Sequence, residues 1–504
     1  MSHMSKRKTE PEDFDIAEPR ADAMSQSLRA FGYDLATAVA DLVDNSISAS
    51  AKHVSLEFFW DGEASWFSIS DDGHGMSEDE LVNAMRPSSQ SPLTPRDSKD
   101  LGRFGLGLKT ASFSQCRTLT VASRVRRGGV AIRRWDLDYL ASCGEWRLLR
   151  TGSAVCQEQV ERLKAVPSGT LVLWEDLDRV AAHTDVGNAA HHELFLARVD
   201  GVKQHLSMVF HRFLDGPRAV KIEVNGTPVR PWDPFLVRSD ATQLLAEEAV
   251  SLFGSRLKVK PYVLPHRSKV DLDTYRAAAG PNGWNAQQGF YVYRNRRLLV
   301  AGDWLGLGFA KEEHYNLARI MLDIPNSTDA EWQIDVKKSR AYPPAAVRGD
   351  LKRLAEVTRR RAREVYRHRG ARLHRGPVDL VFLWEKRVRH GRISYRISRE
   401  HPLVKDVISN AGGLRRRAKA LLNLIEETVP VPTITIDNSE TPTDLARPFE
   451  RSPSALQTVL RETYEALRRS GLTQADARLR IIALEPFNEY PELVAALDDG
   501  QGEG

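Results

Sequence analysis

Three glycines within six residues, Gly102, Gly105 and Gly107, run directly into the helix-forming stretch Leu108 to Phe113. Glycine at that density destabilises the interior of a helix or strand, so the run reads as a loop whose backbone approaches a ligand or another segment closely. A loop that ends at a helix N-terminus aims its N–H groups at one point, the arrangement that holds phosphate. Lys109 and Thr110 stand where they can assist. The spacing is not that of a Walker A loop, because Leu108 separates Gly107 from Lys109, and it is not the dinucleotide-binding G-x-G-x-x-G. Taken alone, the run is also compatible with a structural turn.

Two further motifs precede it. From Ala21 to Ser50 the apolar residues Leu28, Phe31, Leu35, Val39, Leu42, Val43 and Ile47 recur at amphipathic spacing with an interruption near Gly32, which predicts two helices. On the second, Asp41 and Asn45 lie one turn apart on one face. A carboxylate there can orient or deprotonate water while the amide oxygen binds magnesium. Asp44 is the alternative base, although it points elsewhere on the helix. Strands are predicted over 54–60 and 66–70 around the turn Asp61-Gly62. The second runs into Asp71-Asp72-Gly73-His74-Gly75-Met76, where a strand-end Asp71 can accept from an adenine amino group. Gly73 and Gly75 allow close backbone approach, and Met76 covers the base. Turn chemistry explains the same residues, and a metal reading of Asp71, Asp72 and His74 lacks a complete ligand set. Pro87, Pro92 and Pro95 make 86–100 a loop, suited to a lid. Strands follow at 117–124, 129–136 and 170–175, then a helix over 189–213.

Together, Gly32-Tyr33, the run Ala40 to Ser46, Gly102 to Ser112 and Ser168-Gly169-Thr170-Leu171-Val172 resemble the GHKL superfamily of gyrase B, Hsp90, MutL and sensor histidine kinases. The match is nearest to its MORC-like branch, bacterial members included. The resemblance implies an α+β protein in which a gyrase/Hsp90-type α/β sandwich holds ATP between helices and a mixed sheet. It assigns Asn45 to magnesium, Asp71 to adenine, Gly102, Gly105 and Gly107 to lid and phosphates, and Thr170 to the Gly-Thr strand behind the nucleotide. Asp41 occupies the position of a catalytic glutamate, and its shorter side chain makes binding firmer than turnover. Trp332 to Ser339 resembles the transducer loop whose lysine reaches the γ-phosphate, with Lys338 the first choice and Lys337 the second. A cation there offsets charge developing in phosphoryl transfer.

The chain of 504 residues exceeds the size of one hydrophobic core, so several domains are expected. They are a flexible segment 1–19, then what the resemblance implies to be an ATPase domain 20–215 and an S5-like transducer domain 216–346, and a basic helical connector 347–375. A smaller C-terminal α+β interaction or DNA-binding module spans 376–497, before a disordered tail 498–504. Strand-like stretches include 219–224, 259–264, 289–300 and 332–336, and 378–385 and 392–398 in the last module. Helical stretches there are 414–428, 455–470 and 491–497. Between Lys352 and Arg375 lie ten lysines or arginines against two glutamates. Arg359, Arg363 and Arg367 repeat every four residues, a face able to follow duplex DNA by its phosphates, and Arg415 and Arg416 form a second patch. A solvated linking helix is the competing reading.

No stretch approaches the roughly 20 apolar residues that span a bilayer, and no signal-peptide core is visible, so a cytoplasmic protein without membrane contact is expected. Cys116, Cys143 and Cys156 fit neither a disulfide framework nor a zinc site. The function expected is magnesium-dependent ATP hydrolysis that drives closure of an ATP-dependent homodimer on DNA. The resemblance further implies partner proteins of a bacterial defence or restriction-associated system. A non-hydrolysing ATP-gated interaction protein and an Hsp90-like chaperone are the alternatives.

Overall fold

The computed structural model describes residues 19–30, 32–87, 107–329, 331–334 and 341–367. It also describes 381–497 apart from 382, 390–391, 432, 435–448, 450–451, 483, 485 and 488–489. Two compact units divide the chain, Met1–Pro265 with Asp271–Arg363, and His266–Val270 with Glu364–Gly504.

The first unit opens with α1 (Ala21–Arg29) and α2 (Leu35–Ser48), broken at Gly32, whose φ of 65° is left-handed. Asp34 caps α2 by accepting from the Thr37 N–H at 2.8 Å. A sheet follows, made of β1 (His53–Phe59), β2 (Trp66–Asp71), β3 (Thr118–Arg124), β4 (Val130–Asp136), β5 (Gly169–Glu175), β6 (Lys221–Val224) and β7 (Thr227–Pro228). Its order is β4-β3-β5-β2-β1-β6-β7, antiparallel except where β6 joins β1 in parallel. This sheet therefore extends to Pro228, past the residue 215 at which the sequence reading ended the first domain.

Alternation along β5 divides its side chains between two cores. Val172 and Trp174 face α2, α4 (Gly107–Phe113) and α7 (Ala189–Val209), packing with Leu42, Val43, Phe113, Val202 and Leu206. Leu171 and Leu173 face the other way, onto Cys156, Val160 and Leu163 of α6 (Ala154–Lys164). The short helices α3 (Glu78–Met85), α5 (Leu137–Cys143) and α6 were not anticipated. In α3 the reciprocal bonds between Ser77 and Glu80 make a capping box, so its start signal was present.

After the four-residue α8 (His211–Leu214), a second sheet holds β8 (Gln243–Leu244), β9 (Glu248–Leu252), β10 (Ser255–Val263), β11 (Gly289–Arg294), β12 (Arg297–Asp303) and β13 (Ala318–Ile324). The order is β12-β11-β13-β10-β8, with β9 on β10. Between β10 and β11 lie α9 (Leu272–Ala279) and α10 (Gly283–Ala286). The stretch 289–300, read as strand-like, is thus a hairpin. Asn295 and Arg296, at φ 48° and 71°, form its two-residue turn with both residues left-handed, as such turns prefer. The strand expected over 332–336 is corrected in its described part: residues 331–333 make a turn, because Gln333 at φ 47° cannot continue a strand.

Helix α11 (Ala345–Arg367) buries Val347, Leu351, Leu354, Ala355 and Ala362 on one face. The second unit holds the hairpin β14 (Trp384–Arg389) and β15 (Arg392–Ile397), then α12 (Pro402–Asn410) and α13 (Arg415–Thr428). Helices α14 (Pro453–Arg469), α15 (Gln474–Ile481) and α16 (Pro491–Ala495) share a small core around Leu460, Tyr464, Ile481 and Val494.

Candidate functional site

Helix α2 runs along the candidate site, and its polar residues have sharply different environments. Asp41 is 3% exposed and accepts from the Tyr33 hydroxyl at 3.0 Å, while Asn45, one turn on, is exposed. A Cβ added to Gly107 would lie 3.6 Å from Asp41 Oδ2, which sets the start of α4 beside that carboxylate. The turn after Asn45 joins the end of β2, where the Ser46 hydroxyl donates to Asp71 at 2.8 Å.

Asp71 also accepts from the Gly73 N–H at 2.9 Å and from the Thr170 backbone. Burial pushes its carboxyl above the ordinary range, against the lowering effect of these three donors. The glycines beside it are required by space. A side chain on Gly73 would meet Ala49 at 2.8 Å, and one on Gly75, at φ 70°, would fall on the Arg124 carbonyl. Met76 is half-buried and its N–H donates to Ser123 Oγ at 2.8 Å, and that hydroxyl lies 2.9 Å from Thr170 Oγ1. Asp72 has a structural task, accepting from the N–H groups of Lys52 and His53 at 2.7 and 2.9 Å. Asp41, Asn45, Asp71, Gly73, Gly75, Met76, Gly107 and Thr170 are therefore arranged about α2 and the ends of β2 and β5.

Lys109 and Thr110 were read as assisting at the phosphates. Both are buried in α4, and Lys109 Nζ donates to the Ala84 carbonyl at 2.9 Å. Burial lowers the Lys109 pKa to about 8. Gly102, Gly105, Lys337 and Lys338 lie outside the described residues.

One participant was missed. Arg297, at the start of β12, falls within the stretch 289–300 that was read as strand-like, and its side chain is only 3% exposed. Its Nε donates to Asp44 at 2.7 and 3.0 Å, and its Nη2 stands 3.9 Å from Asp41. The sequence signal was its position directly after a turn-forming Asn-Arg pair and before the apolar run Leu298 to Val300. Arg297 also lines a cavity of about 510 Å³ with Thr37, His205, Leu299, Lys311 and Tyr342. Burial, then the Arg297 charge, lowers the His205 pKa to about 4.

The basic face of α11 is corrected in part. Arg359 is 8% exposed, its guanidinium 3.9 Å from the Tyr315 ring centre and 4.4 Å from that of Phe309, with Glu312 at 3.4 Å. Cation–π packing claims this arginine for the protein interior. Arg363 is half-buried, and Arg367 ends the helix. Arg415 and Arg416 are exposed at the start of α13. Among the described residues no group of three or more His, Cys, Asp or Glu could hold a metal, and no helix is long and apolar enough to cross a membrane.

Residues 33–170 match the family described as histidine kinase-, DNA gyrase B-, and HSP90-like ATPase. The chain is similar to ATPase morc-1 of Caenorhabditis elegans, 30% identical over 88 residues, which are 18% of this chain and 10% of that protein. It is also similar to two proteins named DNA mismatch repair protein MutL. That of Clostridium acetobutylicum is 28% identical over 112 residues, covering 21% of this chain and 18% of the relative. That of Rhizorhabdus wittichii is 28% identical over 167 residues, covering 31% and 28%. The chain thus spans less than a third of the length of each of these relatives.

Proposed function

We propose, from the match of residues 33–170 to the histidine kinase-, DNA gyrase B- and HSP90-like ATPase family, that this chain binds ATP with magnesium along α2 and hydrolyses it slowly. The bound nucleotide closes a homodimer on duplex DNA. The observation that carries the reading is Asp71. A carboxylate offers about four lone-pair sites, and three donors from Ser46, Gly73 and Thr170 reach this one. One acceptor position is left, which is what an adenine amino group requires, and Gly73 and Gly75 supply backbone with no side chain in the way.

Met76 covers the base, and the Thr170 hydroxyl lies behind it. Magnesium takes oxygen ligands and arrives with the phosphates while keeping much of its water, so the exposed amide of Asn45 is a fitting single protein ligand. Asp41 orients the attacking water. Gly102, Gly105 and Gly107 give backbone N–H groups to the phosphates, with Lys338, or Lys337 in second place, at the γ-phosphate. Lys109 and Thr110 are buried in α4, at the start of which Gly107 stands. Arg415 and Arg416, with Arg363 and Arg367, follow the DNA backbone. That two relatives are named mismatch repair proteins supports DNA over an unfolded protein as the macromolecular partner. A role in bacterial defence, with partner proteins, is what the resemblance of the motifs to bacterial MORC-like proteins implies.

A second reading rests on Asp41 itself. Tyr33 engages one of its oxygens and Arg297 stands near the other, which favours an ATP-gated switch with little turnover. The test is phosphate release from magnesium-ATP with and without duplex DNA, alongside direct ATP binding, for the wild type and Asp41→Asn. Turnover lost in the variant with binding kept supports hydrolysis by Asp41. Binding without turnover in both supports the switch, and a wild type that binds no ATP refutes both.

A further inference from the structure

Arg297 and Asp44 are 253 positions apart in sequence, yet they form a buried ion pair between β12 and α2. Their side chains are 3% and 1% exposed. Asp41 and Asp44, three residues apart, lie on neighbouring positions of one helix, where like charges repel. The guanidinium stands by both, at 2.7 Å from Asp44 and 3.9 Å from Asp41. Its own geometry is held on the β12 side. Nη1 donates to the Leu298 carbonyl at 2.9 Å, the group lies 5.8 Å from the Phe210 ring centre, and the preceding turn is fixed by two left-handed residues. The position of this cation relative to α2 is therefore set by the second sheet.

Resting on the ATPase reading above, we propose that Arg297 is a positioning residue of the nucleotide site, through which the second sheet sets the orientation of Asp41. It acts by holding Asp44 and by offsetting the repulsion that Asp41 meets from Asp44 and from an incoming triphosphate. It is distinct from a lysine that touches the γ-phosphate, because its partners are the carboxylates of α2. A shift of β12 along α2 withdraws the cation and misplaces the base without removing any group that binds the nucleotide.

The full-length chain carrying Arg297→Met, Arg297→Lys or Asp44→Asn tests this, with a fluorescent ATP analogue for binding and phosphate release for turnover. Arg297→Met is expected to lower kcat by about tenfold or more while Kd changes by less than about threefold, the signature of an interaction spent on the reaction and not on binding. Arg297→Lys regains part of the loss. Asp44→Asn matches Arg297→Met, and the double variant is no worse than either, since the two act as a unit. Equal losses in Kd and kcat with no rescue by lysine would mark a merely structural pair and overturn the proposal, as would full turnover in Arg297→Met. If Arg297→Met does not fold, the lysine and Asp44 variants decide by the same split.

Should the wild type bind ATP without turnover, hydrogen exchange over 289–303 gives the answer. Protection induced by the analogue in the wild type and lost in Arg297→Met or Arg297→Lys supports the coupling; protection retained in the variant overturns it while leaving ATP binding intact. A wild type that binds no ATP refutes the ATPase reading and this coupling with it.

Discussion

Lys109 allows a quantitative test of the packing around α4. The ammonium is 2% exposed, and burial lowers its pKa from 10.5 to about 8. At 1.36 kcal/mol per unit that shift corresponds to roughly 3 kcal/mol of penalty on the charged form in the folded chain. The sign follows from proton counts. Below pH 8 the lysine is protonated in both states and the full penalty applies. Between pH 8 and 10.5 the unfolded chain still holds the proton that the folded chain has released, so folded stability rises with pH. Lys109→Met removes the titration and keeps the stem. It also leaves the Ala84 carbonyl without this donor, a loss of about 1 kcal/mol or more, so the net gain at pH 7 is at most about 2 kcal/mol. Urea midpoints at pH 7 and pH 10 provide the assay. They are followed by tryptophan fluorescence, because Trp174 donates to Ser112 of α4 at 2.8 Å and shares its core. The variant should be the more stable at pH 7, and the difference should shrink or reverse at pH 10. A variant less stable at pH 7, with a difference independent of pH, would refute the reasoning. If it also lost nucleotide affinity, Lys109 would belong at the phosphates after all.

Asp71, whose carboxyl is raised by burial, should accept from adenine only when ionised. Affinity for an ATP analogue therefore falls as pH drops through a point above the ordinary aspartate value, and Asp71→Asn abolishes this limb in isothermal titration. Gly75→Ala combines a left-handed φ with a clash against the Arg124 carbonyl; a thermal midpoint lowered by several degrees and loss of nucleotide binding are expected, and a variant with both intact would remove the steric account of this turn. Charge reversal at Arg415 and Arg416 should weaken duplex DNA binding and flatten its dependence on salt. Arg359→Ala, by contrast, should lower stability by about 1 to 2 kcal/mol, as expected for a desolvated cation–π site, with the salt slope unchanged in fluorescence anisotropy.

The elements that form the candidate site were readable because their signals are local. Asp41 and Asn45 interrupt an apolar period at helical spacing, and Asp71-Asp72-Gly73 ends an apolar strand run abruptly. The hairpin of β11 and β12 was read as a single strand because its turn has only two residues, neither of them glycine or proline. The burial of Arg297, and of Arg359, which was read as facing DNA phosphates, had no local signal: local pattern says nothing of partners far away in sequence. The pairing of Arg297 with Asp44, and the rings of Phe309 and Tyr315 about Arg359, come from tertiary packing alone. Lys109 is the inverse case. Its place after a glycine run suggested a ligand contact, whereas a helix of seven residues wedged against α2 and α1 turns it inward.

Helix α7 has 21 residues, about 31 Å at 1.5 Å per residue. Along its length Phe195, Val199, Val202 and Leu206 enter the core shared with α2, while His205, Met208 and Val209 line the cavity beside β12. A single rod thus serves as bearing for both sheets of the first unit. Side chains interlocked along a helix resist rotation about a point more than they resist small translation, so the motion this construction favours is a slide of the second sheet along α7, of the shear kind. Its travel is limited to the ångström or so that packed side chains allow without changing rotamers, enough to break a charged hydrogen bond and too little to separate the layers.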